Sequence, residues 1–153
     1  VMRMRDAFVQ YYDIHKDDTT RPYPGIEDLL EKLSAKGIAL AVASNKYQEA
    51  TEELVARYFG DYSFASVLGQ REGHPIKPDA GIIFEAMAAC EGVRPDEVIY
   101  CGDSDVDMQT GINAGVKTVG VTWGFRSREE LAAYSPCLLA DNPEEIHNFI
   151  ALT

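Results

Sequence analysis

The segment that most constrains how this chain can fold is residues 98–115, VIYCGDSDVDMQTGINAG. It opens with a short apolar run, residues 98–101, whose β-branched and aromatic side chains are typical of a buried strand. Asp103 follows directly after the glycine that ends this run, and Asp107 lies four positions later. In open α/β sheets, binding sites collect outside the carboxyl ends of the strands. The segment therefore predicts a polar site at this end of a parallel sheet.

The two aspartates suggest a metal site. Neighbouring carboxylates repel each other unless a cation or a proton lies between them, and their oxygens suit a hard cation such as Mg²⁺. Asp103 and Asp107 are therefore candidate ligands. The alternative is that Asp103 or Ser104 caps the next helix and Asp107 is a first-turn carboxylate favoured by the helix dipole. A calcium loop is excluded, because its glycine and glutamate positions hold Met108 and Ala114.

Short apolar runs alternate with helical patterns along the chain from residue 26 onward. Apolar residues at positions 26, 29, 30 and 33 have the spacing of an amphipathic helix. This alternation predicts an α/β fold, a three-layer Rossmann-like parallel sheet covered by helices on both faces. We also predict a helix over residues 1–16. The predicted strands are residues 38–43, 64–68, 98–101 and 118–122, with a possible edge strand at 137–140.

Length and composition limit the classes of protein to which this chain can belong. Its 153 residues are enough for one domain with a buried core, and no apolar run approaches the roughly 20 residues of a membrane span. The net charge of −11 argues against nucleic acid or a membrane as a partner. Cys90, Cys101 and Cys137 fall in predicted core elements without zinc-site spacing, so we expect reduced thiols and a cytoplasmic location.

Two further polar features lie where strands or loops lead into helices. Ser44 and Asn45 follow a predicted strand, where a hydroxyl, an amide and the N–H groups of a helix start form an anion pocket; a plain helix cap is the alternative. Lys77 lies in a stiff loop and can contact a phosphoryl oxygen, or it can simply be solvated. Together with the acidic pair, this set suits a phosphoryl group with a metal ion. Nucleotide-binding motifs GxxxxGKS and GxGxxG are absent.

Four stretches of the sequence match a known family pattern in order: ASN at 43–45, GQREGHPIKPD at 69–79, GDSDVDM at 102–108 and AGVKTVGVTWG at 114–124. Together they resemble the haloacid dehalogenase-like hydrolase superfamily, most closely its phosphoglycolate-phosphatase-like branch. The resemblance implies that residues 20–153 form the core domain and that residues 1–19 are a remnant of a helical cap domain. One small departure is Gly111, which stands where alanine is common.

The resemblance also implies a role for each candidate residue. Ser44 would hold the transferring phosphoryl group, with Asn45 beside it, and Lys77 would stabilise the phosphoryl transition state. Asp103 would ligate Mg²⁺ directly, and Asp107 would support the metal, directly or through other contacts. The implied activity is a Mg²⁺-dependent phosphomonoester phosphatase acting on a small phosphorylated metabolite through an aspartyl-phosphate. Alternatives are a phosphosugar mutase or pyrophosphatase of the same superfamily, and a non-catalytic remnant.

One departure from the family pattern is large. The family's nucleophile lies in an Asp-x-Asp-Gly-Thr segment on the first strand, and no such segment precedes Ser44. We therefore expect an inactive fragment that lacks the central strand between those ending at Ala43 and Cys101. The flanking strands would then close up, rearrange, or accept a segment of another chain, for example in a homodimer. A central strand supplied by residues 1–24 would count against this interpretation.

Overall fold

The structure, a computed structural model, describes residues 22–152 and the backbone of residues 7–10. Strands and helices alternate throughout these ranges. The strands are β1 (Ala7–Gln10), β2 (Ala39–Tyr47), β3 (Ser66–Gln70), β4 (Val98–Gly102), β5 (Lys117–Val121) and β6 (Leu138–Ala140). The helices are α1 (Ile26–Ala35), α2 (Gln48–Phe59), α3 (Gly81–Ala88), α4 (Asp105–Ala114), α5 (Arg128–Ala132) and α6 (Pro143–Leu152), and a short 3₁₀ helix (Pro95–Glu97) precedes β4.

The six strands form one parallel sheet in the order β3-β2-β1-β4-β5-β6. Successive side chains of β4 point to opposite faces, so Ile99 belongs to the core under α1 and α6, and Tyr100 to the core under α3. The three-layer, Rossmann-like α/β prediction is confirmed. Because the strand order reverses direction between β1 and β4, the crevice at their carboxyl ends is the place where such sheets bind ligands.

The helix α1 follows from its apolar spacing. Ile26, Leu29, Leu30 and Leu33 are all buried, so the predicted stripe is the face that packs on the sheet. Gly37 adopts a φ of 74° just after the helix, a left-handed conformation that glycine reaches without steric cost. The chain can therefore turn directly into β2.

The centre of the sheet differs from the sequence-based expectation. Residues 7–10 form a strand between β2 and β4, with Val9 level with Ala41 on one side and Tyr100 on the other. The prediction that the sheet lacks its central strand is therefore wrong, as is the predicted helix at these four positions. This strand counts against the interpretation of the chain as a fragment that lacks it. The rest of the predicted helix over residues 1–16, and the boundary between residues 19 and 20, lie outside the described residues.

The physical reason lies in the backbone of β2 and β4. Each presents a row of N–H and C=O groups to the slot between them, and every buried group left unpaired costs about 1–3 kcal/mol. A strand paired on both sides satisfies both rows at once. The slot is thus filled by this chain's own residues 7–10.

The cysteines also differ in part from expectation. Cys90 and Cys101 are buried as predicted, but Cys137 is exposed, because it lies just before the short edge strand β6 and outside the core. Within the described part of the chain, no helix combines the length and apolar character needed to cross a membrane.

Candidate active site

A buried ion pair lies at the carboxyl end of β4. Lys77 Nζ is 2.7 Å from Asp107 Oδ1, and the two side chains are 2% and 0% exposed. The alternative that Lys77 is a solvated loop residue is therefore wrong. Two charges removed from water need both each other and further hydrogen bonds to be tolerated, so this pair should have additional polar partners.

The carboxylate of Asp107 has such partners on both oxygens. Oδ1 accepts a hydrogen bond from Tyr100 Oη at 2.9 Å, in addition to the one from Lys77 Nζ. Oδ2 accepts from the Asp103 backbone N–H and from Ser104 Oγ, each at 3.0 Å. With two donors on each oxygen, the carboxylate is held in one orientation.

The sequence around Asp107 explains this position. Ser104 caps α4, and its hydroxyl accepts a hydrogen bond from the Asp107 N–H at 3.2 Å, which confirms the capping alternative for Ser104. A side chain on Gly102 would collide with the Asp107 carboxyl group. Glycine at the end of β4 thus lets this carboxylate pack directly against the backbone.

The loop that carries Lys77 is attached to β2 through Asn45. The Lys77 N–H donates to Asn45 Oδ1 at 2.9 Å, and Asn45 Nδ2 donates to the Lys77 carbonyl at 3.2 Å. Lys77 Nζ also lies 3.4 Å from the Ala43 carbonyl oxygen. Asn45 therefore fixes the main chain from which the lysine side chain extends.

Ser44 lies within β2 rather than at a helix start. The strand continues to Tyr47, so α2 begins only at Gln48, and the predicted placement of Ser44 and Asn45 at a helix start is wrong, as is the helix-cap alternative. Ser44 Oγ accepts a hydrogen bond from the Lys46 N–H at 3.0 Å, and the pairing of β2 with β3 is irregular between Ala43 and Tyr47. Ser44 is 2% exposed and adjoins the residue that anchors the lysine loop.

Asp103 is enclosed by the loop that follows β5. Its Oδ2 accepts from the Phe125 N–H at 3.1 Å, and its carbonyl accepts from the Arg126 N–H at 3.0 Å. A side chain on Gly124 would collide with the Asp103 carboxyl group. The loop therefore approaches this carboxylate as closely as a backbone can.

These contacts bring most of the predicted residues to one edge of the sheet. Asn45 contacts the Lys77 main chain, Lys77 contacts Asp107, and Asp107 contacts the main chain of Asp103. Ser44 lies next to Asn45 at the end of β2 and is connected to the cluster through Asn45. A continuous set of polar groups thus spans the ends of β2 and β4.

Sequence reasoning missed one member of this set. Tyr100 is fully buried in β4, and its hydroxyl contacts both Lys77 Nζ and Asp107 Oδ1. A tyrosine in an otherwise apolar buried strand is the available signal, because a buried tyrosine hydroxyl usually has a hydrogen-bond partner.

The residues present fit a magnesium ion at Asp103. Mg²⁺ is usually bound by one or two carboxylates together with waters and substrate phosphates, rather than by a cage of protein ligands. Asp103 provides a carboxylate at the open end of β4, held by the loop after β5. Among the described residues there is no group of three or more His, Cys, Asp or Glu side chains placed to hold a metal. Asp103 is thus the first ligand to test.

Comparison with known proteins places the chain in a family. The family described as "Haloacid dehalogenase-like hydrolase" matches residues 2–121. The chain is 26% identical over 153 residues to Pyrophosphatase PpaX of Anoxybacillus flavithermus, which covers 100% of the chain and 71% of that protein. It is 29% identical over 142 residues to a phosphoglycolate phosphatase of Haemophilus influenzae, covering 93% of the chain and 63% of that protein.

Solved structures agree with this assignment. A protein of Lactobacillus delbrueckii subsp. bulgaricus is 36% identical with a TM-score of 0.81, over 89% of this chain and 56% of that one. A haloacid dehalogenase-like family protein of Streptococcus pneumoniae is 25% identical with a TM-score of 0.77, over 85% and 60%. The chain thus spans between 56% and 71% of the length of these four proteins. It belongs to the haloacid dehalogenase-like hydrolase family.

Proposed function

We propose that this chain is the core of a Mg²⁺-dependent phosphomonoester phosphatase of the phosphoglycolate-phosphatase type. The observation that supports it best is the buried Lys77–Asp107 pair, held at the carboxyl end of β4 beside Asp103. A buried lysine offers a positive charge that water screens poorly, which suits an anionic phosphoryl group.

In this proposal each site residue either binds the phosphoryl group or the metal, or orients a residue that does. Ser44 and Asn45 hold phosphoryl oxygens at the end of β2, while the Lys77 ammonium neutralises the charge that develops on the phosphoryl group. Asp107 orients that ammonium, since its own oxygens are already bonded. Asp103 holds Mg²⁺. When bound, the metal would supply positive charge next to the phosphoryl oxygens.

The covalent step needs a nucleophile, and the central strand, residues 7–10, carries no aspartate. Asp-x-Asp-Gly-Thr does not occur within the 153 residues, so the proposal assigns aspartyl-phosphate formation to an aspartate outside them. We therefore expect the 153-residue chain to bind phosphate without turning over phosphomonoesters.

The substrate is proposed to be a small phosphorylated metabolite. Relatives described as phosphoglycolate phosphatases support a phosphomonoester, and the relative described as a pyrophosphatase supports pyrophosphate as the second candidate. The buried thiols of Cys90 and Cys101 support a reducing, cytoplasmic location.

Calorimetric titration with inorganic phosphate, with and without Mg²⁺, tests the binding part of the proposal. We expect saturable phosphate binding that Mg²⁺ strengthens, and we expect Asp103→Asn to abolish the strengthening. Asp105→Asn is the matched control, because this neighbouring carboxylate pairs with Arg126 instead. No phosphate binding by the wild-type chain would favour the non-catalytic remnant.

A hydrolysis assay tests the assignment of the nucleophile. With p-nitrophenyl phosphate and Mg²⁺, the chain should release nitrophenol no faster than buffer alone. Robust turnover would contradict a nucleophile outside the 153 residues. Pyrophosphate, assayed in parallel by phosphate release, tests the second candidate substrate.

A further inference from the structure

Tyr100 lies at the centre of the polar cluster, although it comes from the apolar strand β4. Its side chain is 0% exposed and packs with buried residues of α3 and β2. The hydroxyl is 3.2 Å from Lys77 Nζ and 2.9 Å from Asp107 Oδ1. It therefore contacts both members of the buried ion pair.

The chemistry of the three groups fixes the direction of these bonds. An ammonium group only donates, so Lys77 Nζ donates to the tyrosine oxygen. The hydroxyl hydrogen of Tyr100 is then available to the charged acceptor, Asp107 Oδ1. With the direct bond from lysine to aspartate, the three groups close a triangle of hydrogen bonds.

We propose that Tyr100 is a positioning residue that sets the direction of the Lys77 ammonium toward a bound phosphoryl group. This inference rests on the proposed phosphate-binding function of Lys77. Its basis is the pair of contacts that the hydroxyl makes with the charged groups.

Lysine needs such a partner because its head group is a point charge on a flexible four-carbon stem. The contacts of Nζ include Asp107 Oδ1 at 2.7 Å, the Tyr100 hydroxyl at 3.2 Å and the Ala43 carbonyl at 3.4 Å. The last distance lies beyond the usual range of about 2.7–3.2 Å for a strong hydrogen bond. Loss of the hydroxyl would therefore remove one of the two short contacts among these three that direct the ammonium.

The ring of Tyr100 has a defined place that phenylalanine can occupy. A side chain on Gly111 would lie 3.5 Å from Tyr100 Cδ2, so α4 and the ring are in close packing. Replacing Tyr100 with phenylalanine keeps the ring and removes only the hydroxyl. Tyr100→Phe is therefore the variant that isolates the proposed role.

The test compares Tyr100→Phe with Tyr62→Phe, which removes a hydroxyl bonded to the Glu27 carbonyl, outside the polar cluster. We expect Tyr100→Phe to weaken binding of inorganic phosphate about tenfold, as expected for losing one hydrogen bond to a charged group. In ¹H–¹⁵N spectra we expect the buried Lys77 ammonium to give a signal in the wild type and this signal to broaden or vanish in Tyr100→Phe. Tyr62→Phe should leave both the affinity and the signal unchanged.

Unchanged phosphate affinity together with an unchanged Lys77 signal in folded Tyr100→Phe would overturn the inference and leave the proposed function intact. Failure of the wild type to bind phosphate would instead count against the proposed function. If Tyr100→Phe does not fold, a measurement on the wild-type protein tests the inference instead. A slowly exchanging Tyr100 hydroxyl proton with a cross-peak to the Lys77 ammonium supports the inference, and its absence overturns it.

Discussion

At the residue scale, the site depends on a buried pair of opposite charges, each of which is stable away from water only while the other is present. Lys77 and Asp107 are both buried, and the carboxylate also accepts from Tyr100, Ser104 and the Asp103 N–H. Removing one partner leaves the other charge uncompensated in a poorly solvated place, whereas replacing both charged groups by neutral side chains leaves no uncompensated charge. The pair should therefore be strongly coupled.

Lys77→Met is expected to lower the free energy of unfolding by about 3–5 kcal/mol, because Asp107 would remain charged and buried. The double variant Lys77→Met with Asp107→Asn should lose less than the sum of the two single changes. Urea unfolding of the three variants measures this coupling. Lys32→Met, which removes an exposed pair with Asp28, should cost at most about 1 kcal/mol. Additive losses at the buried pair would contradict the account.

The cysteines give a second prediction at this scale. Burial raises the pKa of the thiols of Cys90 and Cys101, and it also blocks access to them, whereas Cys137 is exposed. Since the thiolate is the reactive species, one thiol should react rapidly with Ellman's reagent at pH 8 and three after unfolding in guanidinium. Cys137→Ser should abolish the rapid phase. If two or three thiols reacted in the rapid phase, at least one of Cys90 and Cys101 would be accessible to the reagent, which would contradict their burial.

At the scale of single elements, periodicity predicted α1, and the capping alternative applies at the start of α4. The stripe of α1 is buried as expected, and Ser104 caps α4. The end of β2 was not predictable in this way, because the serine and asparagine there have helix-cap chemistry. A hydrogen bond within the strand and one to the lysine loop determine their conformation instead.

Packing between α4 and β5 predicts an unusual response to substitution. A side chain on Gly111 would collide with Thr118 Cγ2, so Gly111→Ala should destabilise the wild type by about 1–3 kcal/mol. Thr118→Ser removes the obstructing methyl group. In that background the same change should be neutral or stabilising, since alanine in a helix is favoured over glycine by roughly 0.5–1 kcal/mol.

Thermal or urea unfolding of the two single variants and the double variant completes this cycle. The account requires the effect of Gly111→Ala to become more favourable when Thr118 is serine. Equal effects in both backgrounds would show that the close contact between helix and strand does not limit this position.

At the scale of the whole molecule, the parallel α/β sheet was predicted from the sequence, and the strand at its centre was not. Residues 7–10 lack the motif that normally marks the first strand, so sequence patterns alone assigned them to a helix. What places them in the sheet is the requirement that the facing edges of β2 and β4 be paired, a long-range effect that no local pattern records. The role of Tyr100 could not be predicted for the same reason, because its hydroxyl contacts Lys77 and Asp107 only in the folded chain.

Val9→Pro tests the central strand. Proline donates no backbone hydrogen bond, and Val9 is paired between Ala41 and Tyr100. We expect a loss of about 1–3 kcal/mol in the free energy of unfolding from the one carbonyl left without a donor. Arg128→Pro, at the first position of α5, is the control, because proline is tolerated there. Equal stability of Val9→Pro and the wild type would contradict a central position for this strand.

The central claim is that residues distant in sequence form one phosphate site at the carboxyl edge of the sheet. The most direct measurement is a backbone ¹H–¹⁵N titration of the whole chain with inorganic phosphate in the presence of Mg²⁺. The account predicts saturable shifts, with a single dissociation constant, at the amides of Lys46, Lys77, Asp103 and Phe125. Shifts that do not saturate, or that fall on the opposite edge of the sheet, would contradict it.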